Sequence, residues 1–291
     1  MGEVARESLG YRERRMTAQD GLSLYFRDYG DPLSPRRPLL CLAGLARNAK
    51  DFDGLAQRLA TERRVVCPDY RGRGRSDYDP AWRNYRPEVY ANDLFHLMAA
   101  ANLHGVVVCG VSMGGLLAMG LSVLAPAQIV AVILDDVGPE VDDDGIERIR
   151  AYVGRDHPQP DWAAAVAEVK RLFPNLGLGD EADWRRFAEA TFREGEDGRL
   201  HVDWDTSLAK ALDHDAPDLW PYYRALGPRP VLAFRGALSD VLSPETFARM
   251  AEVKSDLIAV TVPGVGHAPS LEHPQVEQAI DDFLARIDGQ A

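Results

Sequence analysis

The chain has 291 residues, enough for one large domain or two small ones. Lys+Arg 33 against Asp+Glu 45 leaves a formal charge of −12, so the broad basic face that nucleic acid or an anionic membrane surface requires is not expected. With 46% hydrophobic residues there is ample material for a core, which excludes bulk disorder. Only Lys50, Lys170, Lys210 and Lys254 are lysines, and the excess of Arg reads as a compositional bias of the genome, not a binding patch.

Taken in chain order, GLSLYFRDYG (21–30) alternates and reads as an edge strand. PLLCLAGL (38–45) is a continuous apolar run closed by glycine, FDGLAQRLA (52–60) has helical spacing, and RVVCPDY (64–70) is a strand leading into RGRGRSD. Residues 86–103 carry Pro87 near their start and apolar residues at helical intervals. Residues 105–134 contain no charged residue or histidine, and by length alone could span a bilayer. Their interior argues otherwise: VVVCGV is β-branched, GVSMGG is a glycine-rich turn, LLAMGLSVLA is helical, Pro126 breaks it, and IVAVILDD is β-branched again. This is one buried βαβ unit.

After Glu140 the pattern changes. The triplet Asp142-Asp143-Asp144 lacks the alternating ligands of a calcium loop and reads as a solvated helix start. From there to about residue 215 no strand-like run appears, and three helical segments follow one another. The sheet pattern then resumes with RPVLAFRGALSD (229–240), a helix, LIAVTVPGVGH (257–267) and a closing helix. The expected fold class is α/β, a mostly parallel doubly wound sheet of about eight strands with an inserted helical cap. Residues 1–140 and 216–291 form the core, and 141–215 form the cap.

Cys41, Cys67 and Cys109 each lie in a short apolar run, and their odd number and spacing fit neither a disulfide framework nor a zinc site. Buried free thiols point to a reducing compartment. The N-terminal MGEVARESLGYRERR has no apolar segment of the secretory kind, so a cytoplasmic location is expected. No metal constellation stands out, and no cofactor is expected. RGRGRSD (71–77) resembles a phosphate loop, but position 77 is Asp where a third Gly would stand and no helix follows at once. A turn near a site entrance is the better reading.

The most informative residues are Gly110-Val111-Ser112-Met113-Gly114, a G-x-S-x-G run between a strand and a helix. A serine hydroxyl is a weak nucleophile and must stand clear of its neighbours to meet both a base and a carbonyl. A sharp strand-to-helix turn does this, provided small residues let the backbone fold back. The turn also aims the Met113 N–H and the helix N-terminus at a developing oxyanion.

From this point the chain resembles the α/β-hydrolase fold family over nearly its whole length: CLAGL, DYRGRGRSD, GVSMGG, GALSD and GVGHAP come in the family's order. The resemblance implies a capped sheet and a triad in the order Ser, acid, His. It makes Ser112 the nucleophile and His267, which closes an apolar strand after two glycines, the base. His96, His104, His157, His201, His214 and His273 fit less well. The expected acid is Asp240, at the end of the strand before His267. Asp136, at the end of IVAVILDD, is the alternative, since some family members carry the acid there. The family often has His-Gly in the loop after its third strand. Here Ala43-Gly44 stands in that place, which leaves Leu45 as second oxyanion donor with Ala46 close behind, and leaves open what keeps the loop rigid.

These residues lead to a serine hydrolase that cleaves a small carboxylic ester or lactone through an acyl-enzyme on Ser112. One alternative keeps the triad and changes the reaction, to C–C bond hydrolysis or cofactor-free perhydrolase or haloperoxidase-like chemistry. Another is a non-catalytic ligand receptor on the same scaffold. The partner expected is a small-molecule substrate, and oligomeric state is not readable. Trp162, Trp184 and Trp204 fall in the cap, where some could line an apolar pocket at its junction with the core.

Overall fold

A computed structural model of the chain describes residues 10–212 and 218–289. The beginning of the N-terminal segment and the 215/216 domain boundary lie outside the described residues, as does His214. The strands are β1 (Tyr11–Thr17), β2 (Ser23–Tyr29), β3 (Leu39–Leu42), β4 (Val65–Pro68), β5 (Val106–Val111) and β6 (Ile129–Asp135), then β7 (Phe192–Glu194), β8 (Leu200–Val202), β9 (Val231–Gly236) and β10 (Ile258–Val262). Eight of them form one sheet in the order β1-β2-β4-β3-β5-β6-β9-β10. β1 and β2 are antiparallel to their neighbours, and the other pairings are parallel. The expected eight-stranded, mostly parallel sheet is therefore present.

The helices of the core are α1 (Asp53–Leu59), α2 (Pro87–Ala100), α3 (Met113–Leu124), α7 (Trp220–Arg224), α8 (Pro244–Val253) and α9 (Pro274–Asp288), with α4 (Asp143–Val153), α5 (Trp162–Leu172) and α6 (Glu181–Thr191) between β6 and β7. The uncharged run folds as β5, α3 and β6, with nearly every residue of both strands at or near zero exposure. Burial on both faces of the sheet is why these strands are apolar throughout instead of alternating. Each fully buried Val, Leu or Ile side chain there contributes roughly 1.5–3 kcal/mol of transfer free energy. No helix among the described residues is long and apolar enough to cross a membrane. Cys41, Cys67 and Cys109 are free and buried in the sheet.

Two expectations are corrected. The run 21–30 is not the edge strand. It is β2, and β1, with sequence YRERRMT, pairs along its outer side from Tyr11↔Tyr29 to Thr17↔Ser23. A strand carrying Arg12, Glu13, Arg14 and Arg15 hides its β character, yet charge is what protects a sheet edge from further pairing. The cap is also not wholly helical. After α4 (Asp143–Val153), α5 (Trp162–Leu172) and α6 (Glu181–Thr191), the strands β7 and β8 form a small antiparallel hairpin. Asp142 is the N-cap of α4, so the acidic triplet opens a helix as expected.

Candidate active site

Ser112 sits between β5 and α3 with φ 53° and ψ −122°, a left-handed conformation that a residue with a Cβ rarely adopts. The turn is held from both sides: Ser112 N–H donates to the Asp135 carbonyl at 2.9 Å, and the Gly115 N–H donates to the Ser112 carbonyl at 2.8 Å. Two glycines make the close approach feasible. A Cβ on Gly110 would lie 2.4 Å from the Gly114 backbone, and a Cβ on Gly114 would lie 2.0 Å from the Leu42 carbonyl oxygen. The G-x-S-x-G spacing is therefore a steric requirement of this turn.

His267 lies in the loop after β10. Its Nε2 is 2.9 Å from Ser112 Oγ, and its Nδ1 is 2.7 Å from Asp136 Oδ2. A carboxylate only accepts, so Nδ1 carries the proton and Nε2 is the free acceptor facing the serine hydroxyl. Asp136 follows β6 directly, at φ 52°. Its side chain is fully buried and accepts two further hydrogen bonds, from the Gly236 N–H at 2.8 Å to Oδ1 and from Ser239 Oγ–H at 2.5 Å to Oδ2. Three donors thus fix the carboxylate against the imidazole.

The expectation that Asp240 is the acid is corrected by this geometry. Asp240 lies in the loop between β9 and the helix α8 (Pro244–Val253), where its carboxylate is bound bidentately by Arg148 of the cap, Nε to Oδ2 at 2.5 Å and Nη2 to Oδ1 at 2.8 Å. Partial burial raises the Asp240 pKa, but the Arg148 hydrogen bonds and charge outweigh it and hold the carboxyl below its ordinary value. The end of β9 and the loop after it do serve the histidine, through the Gly236 N–H and Ser239, both of which act on Asp136. Asp135, the last residue of β6, differs sharply from Asp136: it is fully buried, and neither carboxyl oxygen has a hydrogen-bond partner. Burial, reinforced by the neighbouring Asp136 charge, pushes its pKa well above the ordinary carboxyl value.

The two residues expected to supply the oxyanion donors both lie near the serine. Met113 is the first residue of α3, where a backbone N–H has no partner within the helix. Leu45 lies in the loop after β3, which passes close to Ser112: the Cβ position at Gly44 is 3.7 Å from Ser112 Cβ. A cavity of about 760 Å³ opens over this point. Gly44, Leu45, Ser112 and His267 line it from the core, and Ile149, Tyr152, Phe173 and Phe187 line it from the cap. Arg47 also faces it, with its guanidinium 4.1 Å from the Phe187 ring centroid and held by Asp51 and Thr191. Of the cap tryptophans, Trp204 borders a second cavity of about 240 Å³ inside the cap, the Arg185 guanidinium lies over the Trp162 ring, and Trp184 meets Phe187 edge to face. Tyr152 borders both cavities.

A capped, mostly parallel sheet with a serine elbow and a histidine–carboxylate pair defines a class, and comparison with known proteins gives the same one. A sequence profile described as the alpha/beta hydrolase family matches residues 39–279. The chain belongs to the α/β-hydrolase family and is a hydrolase. It is 35% identical over 260 residues to a 3-hydroxybutyrate-oligomer hydrolase of Cupriavidus necator, covering 86% of this chain and 88% of that one. It is 25% identical over 249 residues to a 2-(acetamidomethylene)succinate hydrolase of Mesorhizobium japonicum, covering 84% and 87% of the two chains. A crystal structure of an alpha/beta hydrolase from Novosphingobium aromaticivorans superposes with a TM-score of 0.90 at 42% identity, covering 95% of this chain and 99% of that one.

Proposed function

We propose that the protein hydrolyses the ester bond of small hydroxy-acid esters, short linear oligoesters above all, through an acyl-enzyme on Ser112. The observation that carries this reading is the continuous hydrogen-bonded line from Ser112 Oγ through His267 to Asp136, opening on the capped cavity. The similarity to the Cupriavidus necator hydrolase supports the choice of substrate class.

The chemistry follows from the positions. His267 Nε2 takes the Ser112 proton as Oγ attacks the ester carbonyl, and the imidazolium formed is stabilised by the Asp136 carboxylate on the opposite nitrogen. The carbonyl oxygen becomes an anion between the Leu45 and Met113 N–H groups. Collapse of the tetrahedral intermediate breaks the C–O bond, and the leaving alkoxide takes the proton from His267. Water, deprotonated by the same histidine, then attacks the acyl-enzyme and releases Ser112. A cavity of this volume fits a substrate of drug-like or smaller size.

The test is a substrate series measured side by side: the dimer and trimer of 3-hydroxybutyrate, p-nitrophenyl esters from acetate to laurate, small lactones, and a vinylogous diketone. The proposal expects Ser112-dependent cleavage of the oligomers and of the short p-nitrophenyl esters, with laurate poor. Preferred cleavage of the diketone, or no Ser112-dependent turnover of any ester, would overturn it.

A further inference from the structure

In the family resemblance, a His-Gly pair stands where this chain has Ala43-Gly44, which raises the question of what holds the loop over Ser112 in place. In 43–46 three successive carbonyls are each occupied. The Ala43 oxygen accepts from Tyr70 Oη–H at 3.2 Å, the Gly44 oxygen from the Arg47 N–H at 3.2 Å, and the Leu45 oxygen from Arg73 Nε–H at 2.8 Å. Each carbonyl shares a peptide plane with the N–H that follows it, so pinning all three fixes where the Leu45 and Ala46 N–H groups point.

Arg73 is the unusual member. It is fully buried, yet none of the described residues forms an ion pair with it. Its Nη1 donates to the Arg71 carbonyl and to Tyr90 Oη, both at 2.8 Å, and its Nη2 has no partner. The rings of Tyr90, Tyr70 and Tyr85 surround the guanidinium with centroids at 4.7, 5.6 and 5.7 Å. A buried cation without a counter-ion is costly, and the tyrosine faces offset part of that cost. The turn carrying Arg73 is also tied to the cap: Gly74 N–H donates to the Asp203 carbonyl, and Asp205 N–H to the Gly72 carbonyl.

We propose that Arg73 is a positioning residue for the oxyanion loop: its guanidinium holds the Leu45 carbonyl, while the Arg47 N–H holds the Gly44 carbonyl of the peptide before it, so that Leu45 is fixed from both sides and its N–H stays directed at the carbonyl oxygen on Ser112. Arg73 does not line the cavity over Ser112; it acts through Leu45. This inference rests on the proposal that Ser112 is the nucleophile of an esterase. A preorganised donor helps the transition state more than the ground state, so its loss appears in kcat and not in KM.

The experiment compares wild type with Arg73→Met and Arg73→Lys on p-nitrophenyl acetate and with a small alkylboronic acid, which forms a tetrahedral adduct on a nucleophilic serine. The Met variant is expected to lower kcat by about 10–100-fold with KM within about threefold, and to weaken boronate inhibition by a similar factor. Should the Met variant fail to fold, Arg73→Lys decides. It keeps the charge, but its single ammonium cannot span Leu45, Arg71 and Tyr90 together, and a drop in kcat of several-fold at constant KM is expected. Unchanged kcat and boronate affinity overturn the proposal, and so does a kcat loss matched by a KM rise with boronate affinity intact. Ser112→Ala is the control. If it retains turnover, the esterase reading itself fails; if it is inactive while the Arg73 variants match wild type, only the role of Arg73 fails.

Discussion

Replacing Asp136 and Asp240 separately by Asn separates two carboxyls of which the sequence favours the one that does not meet His267. Asp136 Oδ1 receives the Gly236 backbone N–H, which can only donate. In Asp136→Asn the amide oxygen must therefore take the Oδ1 position, which places the amide nitrogen at Oδ2, 2.7 Å from His267 Nδ1. That nitrogen donates, so the imidazole must accept at Nδ1 and carry its proton on Nε2, where it can no longer receive the Ser112 proton. A histidine held in the wrong tautomer costs about 10⁴ in kcat, or about 5.5 kcal/mol of barrier. The Asp240 and Arg148 side chains are 40% and 34% exposed, so Asp240→Asn removes a solvent-screened ion pair worth about 0–1 kcal/mol of stability. Its kcat is expected within a few-fold of wild type. The assay is steady-state hydrolysis of p-nitrophenyl acetate at enzyme concentrations that resolve a 10⁴-fold loss, with circular dichroism to verify folding. Near-normal activity in Asp136→Asn, with collapse in Asp240→Asn, would refute the assignment.

Gly114→Ala places a methyl 2.0 Å from the Leu42 carbonyl oxygen, so overpacking costs about 3 kcal/mol or more and lowers Tm by roughly 6–12 °C; a wild-type Tm contradicts the packing argument. Asp135 has a folded-state pKa raised above its unfolded value of about 3.9, so the folded protein binds the extra proton and stability declines as pH rises from about 4 towards the folded-state pKa. Asp135→Asn removes that decline, so its Tm relative to wild type should grow between pH 4 and pH 8; a difference that stays flat or shrinks shows Asp135 to be charged at neutral pH. Tyr152→Ala should join the cavities of about 760 and 240 Å³ and shift the preferred p-nitrophenyl ester to a longer acyl chain; an unchanged optimum means that Tyr152 does not limit acyl length.

The parts of the site legible in the sequence are those fixed by short-range sterics. Gly110 and Gly114 are needed within two residues of Ser112, and the turn they permit is local, so five residues announced it. His267 was legible because it follows the last strand closely, just after the two glycines of Gly264-Val265-Gly266. The carboxylate that meets His267 was not, because Asp136 and Asp240 both follow parallel strands of apolar sequence, β6 and β9, that lie side by side in the sheet. The choice depends on where a side chain points after a residue at φ 52° and on a cap arginine claiming the other carboxylate. β1 was hidden by its charge, and the three-residue strands of the cap hairpin were too short to show a period of two. Arg73 read only as part of a turn near a site entrance, because one of three arginines in a glycine-rich run gives no sign that three tyrosine rings will bury it.

The nucleophile assignment stands or falls on where an acyl group attaches. Mixing the protein with p-nitrophenyl acetate, quenching in acid within the first turnover and mapping the adduct by peptide mass spectrometry should find one acetyl group on the peptide containing Ser112, and none in Ser112→Ala. An acetyl group on another residue, or steady turnover in Ser112→Ala, would contradict it.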